Sequence, residues 1–256
     1  MTIGVATPIY NEEYLLPIFL EHYKFADEII FFYDTDTTDR SLEVIHKHKK
    51  TNVIIQPYNT GDGMNDYYMI DLLHEKLKYT TMDYTICVDG DELLFHTNKN
   101  FETLGEDIKN YISKDLCDYY LAAFFHMLPD STEERDITPD KPIWEQRKYG
   151  WFEDTYLKPC IIKKDSKLEY SIGKHWLIED GKHHSPVNQH FGIECMGFQG
   201  CHLNNVNEEI AIQRRIINRC TRLSKVQRER GAGSEYFDLT EEKIREGFRR
   251  KTEKLW

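Results

Sequence analysis

The chain has 256 residues, 40% hydrophobic and 13% aromatic, with 33 Lys+Arg against 44 Asp+Glu and a net charge of −11; this suits one large domain or two small ones and excludes wholesale disorder. No apolar run reaches the roughly 18 residues that cross a bilayer, and the N-terminal MTIGVATPIYNEE has neither a basic start nor a small-residue cleavage site, so no secretory signal is expected. Six scattered cysteines without a CxxC pair argue against a zinc ribbon or a disulfide-stapled scaffold and for a reducing, cytoplasmic setting.

In chain order, residues 3–7 predict a short strand, closed by Pro8 and the loop Tyr10-Asn11-Glu12. Residues 13–25 read as a helix with Leu15, Leu16, Phe19, Leu20 and Tyr23 on one face. The nearly all-apolar run 28–33 predicts a strand buried on both faces. A polar loop from Asp34 to Arg40 leads to a helix at 41–49, a strand at 52–56, a Gly61–Gly63 loop, a helix at 64–79 and a strand at 84–88. Strands alternating with helices of this length predict parallel βαβ units, with the ligand crevice at the carboxyl ends of the strands.

Beyond residue 95 the pattern loosens. A helix is expected at 102–114 and a strand at 118–125, then a long loop at 129–156, a strand at 157–163 and an aperiodic stretch at 173–204. Asn207 is placed to cap a helix reaching Val226; Gly231-Ala-Gly-Ser234 marks a hinge, and Thr240 caps a last helix to about 254. Charge is uneven: residues 213–256 carry 13 Lys+Arg against 7 Asp+Glu, and the first 212 carry 20 against 37. The acidic body argues against a nucleic-acid surface, while the basic C-terminal helices suit a phosphate, an acidic partner or peripheral membrane contact.

The segment Val88-Asp89-Gly90-Asp91-Glu92-Leu93 follows the fourth apolar strand. In an extended segment residues i and i+2 point the same way, so Asp89 and Asp91 can converge on one hard cation, with Gly90 leaving room for a ligand. Carboxylate oxygens favour Mg²⁺ or Mn²⁺, and such an ion could stabilise a departing phosphate. Thr7, Asn11 and Glu12 follow the first strand, and Asp34, Asp36 and Asp39 the second; together they form a polar wall able to hold a ribose and a base. Turn and cap chemistry is the plainer reading of each alone. His183, His184, His190, Cys195 and Cys201 fit no zinc-knuckle spacing. Trp144, Tyr149, Trp151 and Phe152 suit either a sugar ring or the core, and Arg214, Arg215 and Arg219 either a diphosphate or solvent.

ATPIYNEEYLL, FFYDTDTTDRS, GMNDYYMIDLL and YTICVDGDELL, in that order, resemble the nucleotide-sugar glycosyltransferases of the GT-A fold, and most closely the family 2 branch with YDN-x-S-x-D and D-x-DE[FL] motifs. Leu157-Lys158-Pro159-Cys160-Ile161-Ile162, Gly173-Lys174-His175 and Gly200-Cys201-His202-Leu203 are similar to its later elements, so the likeness spans about 200 residues. It departs at Met64, where the family has Gln, and in lacking a clearly placed Glu-Asp base.

The resemblance implies an α/β GT-A (Rossmann-like) fold, a mixed, mainly parallel sheet flanked by helices with a helical C-terminal extension. A transferase domain would cover 1–230 (donor half 1–95, acceptor half 96–205) and a helical appendage 231–256. The implied donor is a UDP- or GDP-sugar and the implied acceptor a carbohydrate or glycoconjugate hydroxyl, with Mn²⁺ or Mg²⁺ as the ion. Thr7, Pro8, Asn11, Glu12, Asp34, Asp36 and Gly90 would touch the donor, and Asp89, Asp91 and His202 would hold the metal. A hexosyltransferase of the inverting type needs a carboxylate base, for which Glu153, Asp154 and Asp130 are the candidates. Two other classes stay open: a sugar nucleotidyltransferase-like enzyme, although the loop after the first strand lacks the expected Gly and Lys/Arg, and a non-catalytic carbohydrate- or partner-binding module.

Overall fold

A computed structural model of the chain describes residues 1–48, 51–97, 99–114, 116–129, 136–179, 182–184, 196–249 and 253–255. At its centre is β1 (Ile3–Ile9), buried along nearly its whole length, as a strand covered on both faces must be. β2 (Glu28–Asp34) and β4 (Tyr84–Cys87) pair with it in parallel on either side, and β3 (Asn52–Tyr58) extends the sheet beyond β2. The connections are α1 (Leu16–His22), α2 (Ser41–Lys47) and α3 (Asp66–Lys78), the last capped by the Asn65 side chain on the Tyr68 N–H. The predicted βαβ alternation is therefore present. α1 is shorter than its apolar pattern because Pro17 starts it and the Glu12 carbonyl turns the chain ahead of it, accepting from the N–H groups of Leu15 and Leu16.

The second half contains β5 (Glu92–His96), α4 (Leu104–Ile112), β6 (Tyr119–Leu128), α5 (Ile143–Gln146) and β7 (Tyr149–Lys163). A small antiparallel sheet follows, made of β8 (Glu169–Tyr170), β9 (Leu177–Glu179) and β10 (Lys182–His184). Then come β11 (Phe198–His202), α6 (Glu208–Ile212), α7 (Lys225–Glu229), α8 (Glu241–Gly247) and β12 (Glu253–Lys254). The main sheet runs β3-β2-β1-β4-β7-β6-β11-β5, with β12 added against β7. It is the expected mixed α/β sheet flanked by helices, with a helical C-terminal stretch. Among the described residues no helix is long and apolar enough to cross a membrane.

β4 and β5 are consecutive in sequence yet stand four places apart in the sheet. Four strand spacings in a flat sheet would take about 19 Å, whereas the five steps from Cys87 to Glu92 reach at most about 18 Å fully extended. The sheet therefore curls, and Asp89-Gly90-Asp91 crosses its concave end.

Several expectations change. The loop expected at 129–156 is strand from Tyr149 onward, because Tyr149 to Phe152 pair with Leu128 to Phe125; their alternation is masked by the exposed Glu153, Asp154 and Thr155. Neither β5 nor β11 was expected as a strand. The helix after Asn207, whose side chain does cap it on Ile210 N–H, breaks after Ile212. It widens into a π-helical turn over Gln213–Ile217, with the Asn218 N–H bonding the Gln213 carbonyl. α8 begins at the expected Thr240 cap but stops at Gly247. Cys87, Cys160, Cys201 and Cys220 are free thiols, but Cys117 is disulfide-bonded, against the all-reduced expectation.

Candidate active site

The crossing segment is held by its own neighbours. The Glu92 carboxylate accepts the Asp89 N–H at 3.0 Å and pairs with the Lys158 ammonium reaching in from β7; both side chains are buried. Lys158 also lies 3.8 Å from the Asp89 carboxylate, which Lys174 contacts directly on its other oxygen. Lys174 is aimed by a tight turn in which Gly173 (φ 74°) and Lys174 itself (φ 58°) are both left-handed, a conformation that costs a non-glycine residue about 1 kcal/mol or more. Burial alone would raise the Asp89 pKa, but Lys174 and Lys158 hold it well below the usual carboxylate range. For Lys158 the desolvation penalty is outweighed by Glu92 and Asp89, so it stays charged.

Asp91 completes a second cluster. Arg214, carried inward by the π turn, donates to Asp91 Oδ2 at 2.7 Å and forks onto Glu12 at 2.7 and 3.0 Å. His202 Nε2 stands 3.2 Å from the same Asp91 oxygen. β11 fixes this contact by pairing His202 with Glu92 on one side and His126 on the other, while the Leu203 N–H donates to the Asp91 carbonyl. Asp91 is held well below its ordinary pKa because Arg214 and His202 overcome its desolvation. Glu12 goes the other way: burial outweighs Arg214 and lifts it to about 7. His175 is pushed down to about 4 by burial and by Lys158, so it is neutral at pH 7. His202 Nδ1 and His126 Nε2 are buried with no hydrogen-bond partner among the described residues, and the two rings lie 4.8 Å apart.

Beside these clusters, at the ends of β1 and β2, is a flat slot. The Arg222 guanidinium stacks 3.5 Å over the Tyr10 ring and donates to Asp34 at 2.8 Å. The slot and both clusters open into one cavity of about 480 Å³, lined by Pro8, Tyr10, Glu12, Asp34, Asp89, Gly90, Asp91, Lys158, Lys174, His175, His202, Arg214 and Arg222 among others. Arg219, Ala232, Gly233 and Tyr236 close its C-terminal wall.

Of the residues singled out from the sequence, Pro8, Glu12, Asp34, Gly90, Asp89, Asp91 and His202 are thus brought together. Asp36 stands at the rim, 3.4 Å from Arg222. Thr7 is fully buried and donates to the Pro8 carbonyl. The Asn11 side-chain oxygen accepts the Thr38 and Asp39 N–H groups, and Asp39 in turn holds Ser41, so both brace loops behind the cavity. Glu153 and Asp154 lie on the exposed face of β7, Glu153 accepting from Trp151 Nε1 and standing 4.0 Å from His126. Asp130, His190 and Cys195 lie outside the described residues. Trp144 is core, packed on Phe95; Trp151 stacks on His126, and Phe152 is exposed. Lys158 and Lys174 fall within the motifs quoted above and Tyr10 within a loop, but neither they nor Arg222 gain a site role from sequence; a lysine inside an apolar strand at 157–163 was the one available physical signal, since an unpaired ammonium is not buried.

Among the described residues no group of three or more His, Cys, Asp or Glu converges as a closed metal cage. The donors present still fit a hard divalent ion: Mg²⁺-type sites use one or two carboxylates and take their remaining ligands from phosphate and water. Asp91 and His202 offer such a partial set facing the cavity, both of the contacts above falling on Asp91 Oδ2.

No family model matches the chain, and no curated protein matches it. Among solved structures it is similar to S. aureus TarS (residues 1–349) at 16% identity, covering 97% of this chain and 69% of that one, with a TM-score of 0.41. It is also similar to 4-diphosphocytidyl-2C-methyl-D-erythritol synthase from Anaerococcus prevotii (14% identity, 64% and 71% covered, TM-score 0.35). A third is glucosyl-3-phosphoglycerate synthase from Mycobacterium tuberculosis in complex with Mn²⁺, UDP and phosphoglyceric acid (17%, 49% and 43%, TM-score 0.30).

Proposed function

We propose that the chain is a glycosyltransferase that moves a sugar from a nucleotide diphosphate donor, UDP- or GDP-linked, to a hydroxyl of a carbohydrate or glycoconjugate acceptor. The observation that carries this reading is one cavity joining two kinds of surface. Lys158 and Lys174 are buried and Arg214 partly buried cations beside Asp89 and Asp91, and the adjoining slot offers the Tyr10 ring and the Asp34 carboxylate. The first suits a diphosphate and the second a nucleobase.

Asp91 and His202, with Asp89 beside them, are the residues that would hold Mn²⁺ or Mg²⁺. When bound, that ion supplies positive charge to the departing diphosphate. The chain's own cations act in the same direction: Lys174 and Arg214, fixed on Asp89 and on Asp91 with Glu12, sit where negative charge grows as the glycosidic bond to phosphate breaks. Their positions are set before reaction, so little reorganisation accompanies bond cleavage. Gly90 keeps that wall bare: a Cβ there would meet Glu12, Ile9 and Pro8 only at 3.8 Å, so protein packing does not demand glycine.

The acceptor would lie toward β6 and β7, in the half spanning 96–205. For an inverting displacement a carboxylate must take the hydroxyl proton. Glu153 is our candidate, ahead of Asp154, because it is tied to the Trp151 and His126 wall that abuts His202. The basic C-terminal helices would face the acceptor's environment, including an anionic membrane if the acceptor is lipid-linked.

The test is thermal unfolding with UDP, GDP, CDP and ADP, each with and without Mn²⁺, followed by donor hydrolysis. A ligand at about 100 times its Kd adds about 2.7 kcal/mol, a rise of about 5–10 °C for a chain of this size. UDP or GDP should produce it, more so with Mn²⁺, and Asp91→Asn should remove the Mn²⁺-dependent part. Indifference to every nucleotide would sink the proposal.

A further inference from the structure

We infer that Arg222 is a resident stand-in for the nucleobase: it fills the slot between Tyr10 and Asp34, must swing out before a nucleotide enters, and thereby selects bases that can replace its contacts. This rests on the nucleotide reading above and deepens it. The guanidinium is flat, lies 3.5 Å over the Tyr10 ring and donates an N–H to Asp34 Oδ2 at 2.8 Å. Those are the two contacts a base with a ring N–H would make in the same place: a stacked face and a donor to the carboxylate.

The rest of the geometry limits what can move. Asp34 is 3% exposed, and its other oxygen is held by the Asp36 N–H at 2.9 Å. It cannot turn to solvent; the Tyr58 hydroxyl also bonds it, but a buried carboxylate that loses its charged partner is costly. The Arg222 backbone is pinned: its carbonyl accepts the Met64 N–H at 2.6 Å, and the Ser224 N–H donates to the Met64 carbonyl at 3.0 Å. Gly63 (φ 82°) approaches so closely that a Cβ there would lie 2.2 Å from the Arg222 carbonyl oxygen. Only the Arg222 side chain is free to leave, and Asp36, already 3.4 Å away at the rim, can receive it.

A base entering the slot must therefore supply Asp34 with the N–H it loses. Uracil and guanine present a ring N–H on their pairing edge; cytosine and adenine offer only an exocyclic amino N–H there, beside a ring nitrogen lone pair that the carboxylate repels. The closed slot lowers apparent affinity by the fraction of molecules in which Arg222 is out.

The experiment is isothermal titration of the full chain with uridine, guanosine, cytidine and adenosine, and with UDP and GDP. Free nucleosides lack phosphate, so any contact of Arg222 with a diphosphate drops out. Wild type is compared with Arg222→Ala and Asp34→Asn. We expect uridine or guanosine to bind Arg222→Ala about tenfold or more tightly than wild type, with a smaller gain for cytidine or adenosine and loss of binding in Asp34→Asn. Equal or weaker nucleoside binding by Arg222→Ala, while wild type binds UDP or GDP, would overturn the stand-in alone. No binding of UDP or GDP by wild type and Arg222→Ala alike would overturn the nucleotide reading and the stand-in with it. If Arg222→Ala loses its native circular dichroism, Arg222→Met, which keeps the aliphatic stem, is read by the same criteria.

Discussion

Replacing Lys158 by Met isolates the electrostatics that build the crossing segment. Methionine fills nearly the same space, so little apolar transfer energy is lost; the charge is. Glu92, 1% exposed, then keeps only the Asp89 N–H at 3.0 Å. Removing one partner of a buried pair costs about 3–5 kcal/mol. We therefore expect a loss of about 3–5 kcal/mol at pH 7. Urea unfolding followed by fluorescence of the four tryptophans reads this directly. A slope of about 1–3 kcal/mol/M turns the loss into a midpoint shift of at least about 1 M. A loss below about 1 kcal/mol would show that the pair does not hold the segment.

Other outcomes follow from single features. His22 is buried, bonds the Leu94 carbonyl through Nε2 and is pushed by burial from 6.5 down to about 4. Its contribution is intact above pH 6.5 and falls as pH drops from 6.5 to 4, because the unfolded chain alone takes up the proton; the limb amounts to about 3 kcal/mol and should be missing from pH-dependent unfolding of His22→Gln. Gly63→Ala forces a left-handed alanine against the Arg222 carbonyl and should cost about 2–4 kcal/mol by thermal unfolding. Gly90→Ala should change stability by no more than about 0.5 kcal/mol, yet weaken UDP or GDP in titration calorimetry. Asn207→Ala removes the cap on Ile210 and should cost about 1 kcal/mol.

What could be read from the sequence was what repeats or concentrates. β1, β2 and β4 announce themselves because strands buried on both faces are nearly continuous apolar runs. Asp89 and Asp91 stood out because carboxylates directly after such a run have few structural reasons to be there. β5 was hidden because Glu92 opens it and joins it visually to the acidic motif. β11 was hidden by Gly200, whose role is purely tertiary: the Phe124 ring lies where a Cβ would stand, 2.2 Å away. Lys174 gained no site role from its motif because its importance lies in two left-handed residues, which no periodicity reports. Arg214 was left between a diphosphate and solvent, because the π turn over Gln213–Ile217 that carries it inward has no sequence motif.

The four-residue passage from β4 to β5 also sets an order of events during synthesis. β5 ends the sheet, and the neighbour it needs is β11, with Glu92 opposite His202. Leu93, Leu94 and Phe95, all at most 1% exposed in the finished protein, thus leave the ribosome long before the strand that shelters them exists. Pairing across such a sequence gap is slow and leaves apolar strand exposed to other chains. A nascent or truncated polypeptide ending before β11 should be sticky, and the complete cavity should be among the last parts of the molecule to form.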